Sequence, residues 1–238
     1  MMFRSLTKAT VLVLLCGIAS YCPAEGWYKP VCVSLGFYGG ASSSYVTADS
    51  TMKQFFLPTT QKKSVTGAVL GLDAEVKAGK WLSFLTGMRF LRKGQNTGAT
   101  KVFFQDDLFV HDFSSKVEFT YLEVPLVVKS GIEAHGFRLQ VKLGLMPGVV
   151  VADTTYWVID DQVSIPGSLR VPNVSISGWD AAFVAGAEFD YSWGRHCIFL
   201  AFDWEHGLHS IASGLPGSVY NRSAVGTAGY RFQIFKRP

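Results

Sequence analysis

Eight times along this chain, apolar residues occupy every second position, and each run is closed by Gly, Pro, Asn or Asp. Between 137 and 145, Phe137, Leu139, Val141, Leu143 and Leu145 alternate with Arg138, Gln140, Lys142 and Gly144. A period of two puts such residues on opposite faces of a strand, whereas a helix would need a period near 3.6. The other runs follow the same rule. Val33, Leu35 and Phe37 oppose Ser34, Gly36 and Tyr38; Ala68, Leu70, Leu72, Ala74 and Val76 oppose Val69, Gly71, Asp73 and Glu75. Further runs begin near Leu82, Leu122, Ala181, Ile198 and Ala228. The chain is therefore expected to be all-β.

Connection lengths sharpen this. Those near Gly79, 131–136 and Gly194 are short, while 42–63, 94–115, 152–176 and 208–223 are long and rich in Ser, Thr, Asn, Gly and Asp. Tight turns at one end and long loops at the other match a closed antiparallel up-and-down transmembrane β-barrel of about eight strands, with short periplasmic turns. Trp27, Tyr28, Trp81, Tyr191 and Trp193 gather at the short-turn end, as an interfacial aromatic girdle does.

Composition and the amino end agree with export to a membrane. Hydrophobic residues make up 48% of the chain and charged ones 17%, against roughly a quarter charged in soluble domains. Arg4 and Lys8 precede an apolar run from Ala9 to Ala19, and small residues lead to a cleavage point after Ala24. That run is too short to span a bilayer, so residues 1–24 read as a cleaved signal peptide and 25–238 as the barrel domain. Leu15 and Tyr21 precede the leader cysteines, where a lipidation site would carry a small residue. Loss of Arg4 and Lys8 lowers the formal net charge from +4 to about +2, which gives no electrostatic case for nucleic acid. The expected location is the outer membrane of a Gram-negative bacterium, with its lipid as the first partner.

Alternation alone leaves one choice open. A secreted lipocalin-like carrier would turn the apolar face inward around a small apolar ligand. Two features favour the opposite. The apolar face recurs on every strand, mostly over the nine or ten residues a tilted transmembrane strand needs. The other face is Gly-rich and carries both charge signs, as a crowded small-barrel interior requires.

The segment Tyr121-Leu122-Glu123-Val124-Pro125-Leu126-Val127-Val128-Lys129 resembles the hallmark strand of the PorT-like outer-membrane β-barrel family. Gly207-Leu208-His209-Ser210-Ile211 is similar to the family's exit from its penultimate long strand, and Asn221 through Gly229-Tyr230-Arg231-Phe232 to its closing strand. The resemblance implies an eight-stranded outer-membrane barrel with no agreed catalytic set, and partners in the envelope or in type IX secretion. The end Phe235-Lys236-Arg237-Pro238 departs from the terminal aromatic common in outer-membrane proteins.

Candidate sites follow from the inner face. Asp73, Glu75, Glu123, Asp180, Glu188, Asp190, Asp203 and Glu205 share it with Arg89, Lys93, Lys129, Arg138, Lys142 and Arg231. Buried charges must be paired, so a structural lumen network is the expectation and a proton or ion path the alternative. Pro125 cannot donate to a ladder and predicts a bulge, a bend or a break. Glu205-His206-Gly207-Leu208-His209-Ser210 holds the residue types of a lipid-modifying hydrolase, but adjacent His209 and Ser210 on a strand point to opposite faces. No enzyme activity is expected. No cysteine–histidine metal pattern, phosphate loop or nucleotide fingerprint occurs, so no metal and no cofactor is expected either. Cys32 and Cys197 fall on strands that are not consecutive and read as two small hydrophobes. The loop 152–176 offers Tyr156, Trp157 and Ile159 beside Asp160 and Asp161, a mix suited to a protein contact; alternatively these residues extend the barrel wall.

Overall fold

The computed structural model describes residues 31–48, 62–79, 81–103, 110–159, 162–164, 175–213 and 217–236. The expected signal peptide, Trp27, Tyr28, Asp160, Asp161, Arg237 and Pro238 lie outside them. The strands are β1 (Val31–Ala48), β2 (Lys62–Ala78), β3 (Leu82–Phe103), β4 (Val110–Glu123), β5 (Leu126–Ala134), β6 (Phe137–Ile159), β7 (Gln162–Ser164), β8 (Ser175–Ile176), β9 (Trp179–Trp193), β10 (His196–Gly207), β11 (Ala212–Ser213) and β12 (Val219–Lys236).

Each long strand pairs antiparallel with its neighbour in sequence, and β12 returns to pair with β1 from Cys32↔Lys236 to Ala48↔Val219. The sheet is thereby closed, leaving no edge whose backbone groups would face lipid unsatisfied. β4 and β5 are two halves of one wall strand. Glu123 stands opposite Arg89 and Gly148, Leu126 opposite Thr86 and Leu145, so the register passes unchanged through the break at Val124–Pro125. The missing proline N–H accounts for the interruption, and Val124 N–H donates to Pro147 O at 2.8 Å across it. Eight wall strands result. His135, Gly136, Gly79 and Gly194 take positive φ in the tight turns.

The apolar face points outward. Leu139, Val141 and Leu143 are 55%, 61% and 54% exposed, and Leu35, Leu70, Phe90, Leu200 and Phe202 are exposed likewise. Arg138, Gln140 and Lys142 between them are buried. A wall of this kind is stable only in lipid, which excludes the inward-apolar carrier arrangement.

Two boundaries differ from the sequence reading. Much of each long connection is strand: β1 runs to Ala48, β3 to Phe103, β4 begins at Val110 and β6 ends at Ile159. Beyond the apolar band the period-two signal fades while the ladder continues. The turn assigned to 131–136 shrinks to His135-Gly136, because Gly131 through Ala134 pair with β6 down to Ala134↔Phe137.

Candidate functional site

The lumen is the most densely functionalised part of the molecule. Inward positions on seven of the eight wall strands bring eight carboxylates and six cations into it, all buried. Arg231 on β12 reaches Asp73 on β2, its Nε and Nη2 donating at 3.1 and 2.9 Å, and its Nη1 lies 3.1 Å from Glu75 while also meeting Glu188 on β9. The same guanidinium stacks over the Phe199 ring at 3.8 Å. Gly36 makes room for it, since a Cβ there would fall 2.6 Å from Arg231 Cγ. Lys129 donates to Glu75 and Glu188 at 2.8 Å each, Arg138 to Glu75 at 2.7 Å and Asp190 at 3.0 Å, and Lys142 to Asp203 at 2.8 Å.

A second group sits nearer the long-loop end. Arg89 bridges Glu123 and Glu205, and Lys93 lies 2.6 and 2.9 Å from the same two carboxylates. Ser223 Oγ donates to Glu205 at 2.7 Å. Asn221 Nδ2 donates to Asp180 and to Tyr121 Oη, both at 2.9 Å. Arg89–Glu123 and Ser223–Glu205 join register neighbours, whereas Arg89 and Lys93 of β3 reach Glu205 of β10 across the barrel, a contact that parity along a strand cannot reveal.

Apolar layers separate and cap the ionic ones. Leu85, Val127, Met146, Ala182 and Val184 pack together, as do Val69, Leu91 and Val225. At the outer mouth Phe119, Tyr121, Ile211 and Val219 form a lid. The segment carrying Ile211 is tied down by Ile211 N–H to Val219 O and by Ser177 N–H to Ile211 O, and β8 pairs with β11 above it. A cavity of about 20 Å³ remains between the ionic groups, lined by Asp73, Arg89, Lys142 and Asp203 among others. That is room for about one water, not for a solute path. Sequence reasoning missed these apolar layers because Leu85 and Leu91 sit on a face otherwise read as polar.

The remaining candidates are scattered. Glu205 is held inside by Arg89 and Lys93, while Ser210 Oγ donates to Ala212 O at 2.7 Å and accepts from Val219 N–H at 3.1 Å. His209 stacks on Trp179 at 4.1 Å between ring centroids. The three do not form a hydrogen-bonded relay. Among the described residues no cluster of His, Cys, Asp and Glu is arranged to hold a metal. Cys32 and Cys197 are buried and free, on β1 and β10 with β12 between them. The backbones of Tyr156 and Trp157 pair with β4 in β6, and Trp157 and Ile159 also pair with β7.

The outer wall has two aromatic levels. Trp81, Tyr191 and Trp193 are exposed at the turn end, where Tyr191, Trp193 and His196 stack in series and His196 Nδ1 meets Tyr230 Oη at 2.5 Å. Trp179 and Trp204 are exposed toward the other end. The two levels bracket the apolar band.

Residues 32–213 match the family described as "Outer membrane protein beta-barrel domain". No curated protein sequence matches the chain. Among solved structures, the chain is similar to the attachment invasion locus protein Ail of Yersinia pestis, solved with the heparin analogue sucrose octasulfate. The two are 14% identical, the match covers 85% of this chain and 98% of that one, and the TM-score is 0.36. OprG from Pseudomonas aeruginosa is 13% identical, with 88% and 98% covered and a TM-score of 0.39. The outer membrane protease OmpT from Escherichia coli is 9% identical, with 86% and 96% covered and a TM-score of 0.39.

Proposed function

This chain belongs to the outer membrane protein beta-barrel domain family, and from that premise we propose that it is a non-enzymatic scaffold or an accessory of a secretion or assembly complex. It resides in the outer membrane of a Gram-negative bacterium, with its short turns on the periplasmic side. The observation that carries the proposal is the filled lumen. Eight carboxylates, six cations and an apolar lid occupy the interior, so solute transfer has no path and recognition falls to the outer surface. There β3, β4 and β6 continue as a paired ladder to Phe103, Val110 and Ile159. From Val149 to Ile159 this is roughly 30 Å of strand. Tyr156, Trp157 and Ile159 belong to this extension and are the proposed partner contact. The resemblance of Tyr121 through Lys129 to PorT-like proteins supports a partner in the envelope or in type IX secretion.

Two measurements test this. In planar bilayers the purified protein should show no stable, reproducible conductance; a steady open pore would refute the filled lumen. Replacing 155–165 with a Gly/Ser linker should leave a folded, heat-modifiable barrel that no longer recovers its partner by cross-linking in outer membranes. Recovery equal to that of the unaltered protein would remove this segment from the contact.

A further inference from the structure

A cation on a lipid-facing wall needs a counter-ion, and one on β12 has none among the described residues. Arg222 lies on the outer face, since its neighbours Asn221 and Ser223 turn inward onto Asp180 and Glu205. Across the ladder it stands opposite Tyr45 of β1 and His206 of β10. Its Nε is buried without a hydrogen-bond partner, and among the described residues no carboxylate pairs with its guanidinium. Arg92, the outward arginine of β3, differs: Glu118 answers it at 3.8 Å and is also held by Lys116 at 2.7 Å. Leaving a partly buried charge unpaired is costly, and among the described residues nothing supplies the anion for Arg222.

Toward the turn end from Arg222 the wall is hollow. The next outward residues of β12 are Ala224, Gly226 and Ala228, and Gly226 lies in a cross-strand row with Ala41, Phe202 and, beyond it, Ala187. Larger side chains, Leu139, Phe189, Leu200 and Phe202, border an open groove of about 570 Å³ over Gly226, Ala228 and Ala187. From Ala228 to Arg222 the same face of β12 runs roughly 20 Å, and the arginine marks its outer end. Beside the arginine, Trp204 and Phe183 are exposed, which sets it at the upper border of the apolar band.

We propose that Arg222 and this groove form one site for a phosphate-bearing lipid of the outer leaflet. An acyl chain fills the hollow over Gly226 and Ala228, and the phosphate takes the guanidinium in a charge-assisted, bidentate geometry. His206, opposite in register, supplies a second donor at the same level. The pairing of an apolar trough with a cation at its outer end selects an amphiphile, because a soluble anion would leave the trough unused.

The test uses the mature barrel in phosphatidylcholine nanodiscs, with lipid A added either intact or stripped of its phosphates, and native mass spectrometry to count retained lipid. One intact lipid A per barrel should survive washing, with the dephosphorylated form retained at least tenfold less. Arg222→Gln should lower retention of the intact lipid about tenfold, while Arg92→Gln leaves it unchanged. Gly226→Leu should lower it with Arg222 intact; a Cβ at Gly226 meets nothing within 4 Å, so this variant fills the groove without an internal clash. Unheated gel migration confirms that each variant is folded. Equal retention of both lipid A forms, or retention indifferent to both substitutions, would overturn the proposal. So would displacement of the lipid by inorganic phosphate alone, or dimers in pure phosphatidylcholine that Gly226→Leu abolishes, which would give the groove to a second copy.

Discussion

Two arginines nine positions apart on β12 live in opposite worlds. Arg231 points into the lumen, where Asp73, Glu75 and Glu188 surround it and Phe199 lies beneath it. Arg222 points at the membrane and pairs with no carboxylate among the described residues. The inner face carries its own counter-charges; on the outer face Arg92 has Glu118, whereas Arg222 has no such partner among the described residues. Stability of the lumen is thus internal to the chain, and behaviour of the wall depends on the bilayer.

The largest expected effect comes from breaking the inner side of this contrast. Arg231→Met removes one cation from three buried carboxylates while keeping an unbranched stem. Removing one partner of a buried ion pair costs about 3–5 kcal/mol, because the other charges stay buried. Urea unfolding in vesicles should show that loss, and the unheated gel form should weaken. An unchanged midpoint would mean that the lumen tolerates loose charges and that the two faces differ less than their geometry suggests.

Next come charges forced onto the wall. Leu139→Arg and Leu143→Arg should each cost about 2–4 kcal/mol near the bilayer midplane. Gln140→Arg, on the inner face beside Ser83, should depend on local packing instead. If both leucine variants fold into bilayers with unaltered stability, lipid does not contact this face.

How much of this was legible from the sequence follows from what parity can and cannot encode. The alternation from Phe137 to Leu145 assigns a face to every residue it covers, and eight such runs suffice for the barrel. Partners are another matter. Lys129 meets Glu75 and Glu188, each two wall strands away, and no spacing along one strand specifies a contact between strands that are not neighbours. The ends of strands were also hidden. Above the apolar band Ser, Thr and Asn occupy both faces, so 42–48 and 94–103 read as loop although their ladders persist. Arg222 escaped notice for that reason, since 208–223 was assigned to a connection. Carrying the alternation of the closing strand back through Ser223 and Asn221 would have placed it outward.

A smaller effect tests how the wall is sealed. Between Ser64 and Val69 the β2–β3 register shifts by a bulge. Ser44 on β1 reaches across this gap, accepting from Gly94 N–H at 2.9 Å, and Ser42 Oγ donates to Arg92 O at 3.0 Å. Ser44→Ala leaves the Gly94 N–H without that partner, a loss of about 1–3 kcal/mol. Hydrogen exchange at Gly94 should quicken selectively. Exchange equal to that of the unaltered protein would show that another group closes the seam.

The smallest effect is expected at Arg222, and it depends on the bilayer. In phosphatidylcholine vesicles, where every phosphate is balanced by its own headgroup cation, Arg222→Gln removes a charge that pairs with no carboxylate among the described residues. Surface substitutions that break no contact stay within about 0.5 kcal/mol, and relief of an unpaired guanidinium pushes the balance toward the variant. Unfolding midpoints of the two proteins should therefore coincide or favour Gln. Adding lipid A reverses the order, because only the arginine gains a charge-assisted partner, and a ligand bound by the native state alone stabilises it in proportion to its occupancy. The diagnostic quantity is the change of sign between the two bilayers. Arg231→Met gives no such reversal, since its counter-charges travel with the chain. If Arg222→Gln lowered the midpoint equally in both vesicle types, the guanidinium would be held by the barrel itself and the contrast between the two faces of β12 would fail.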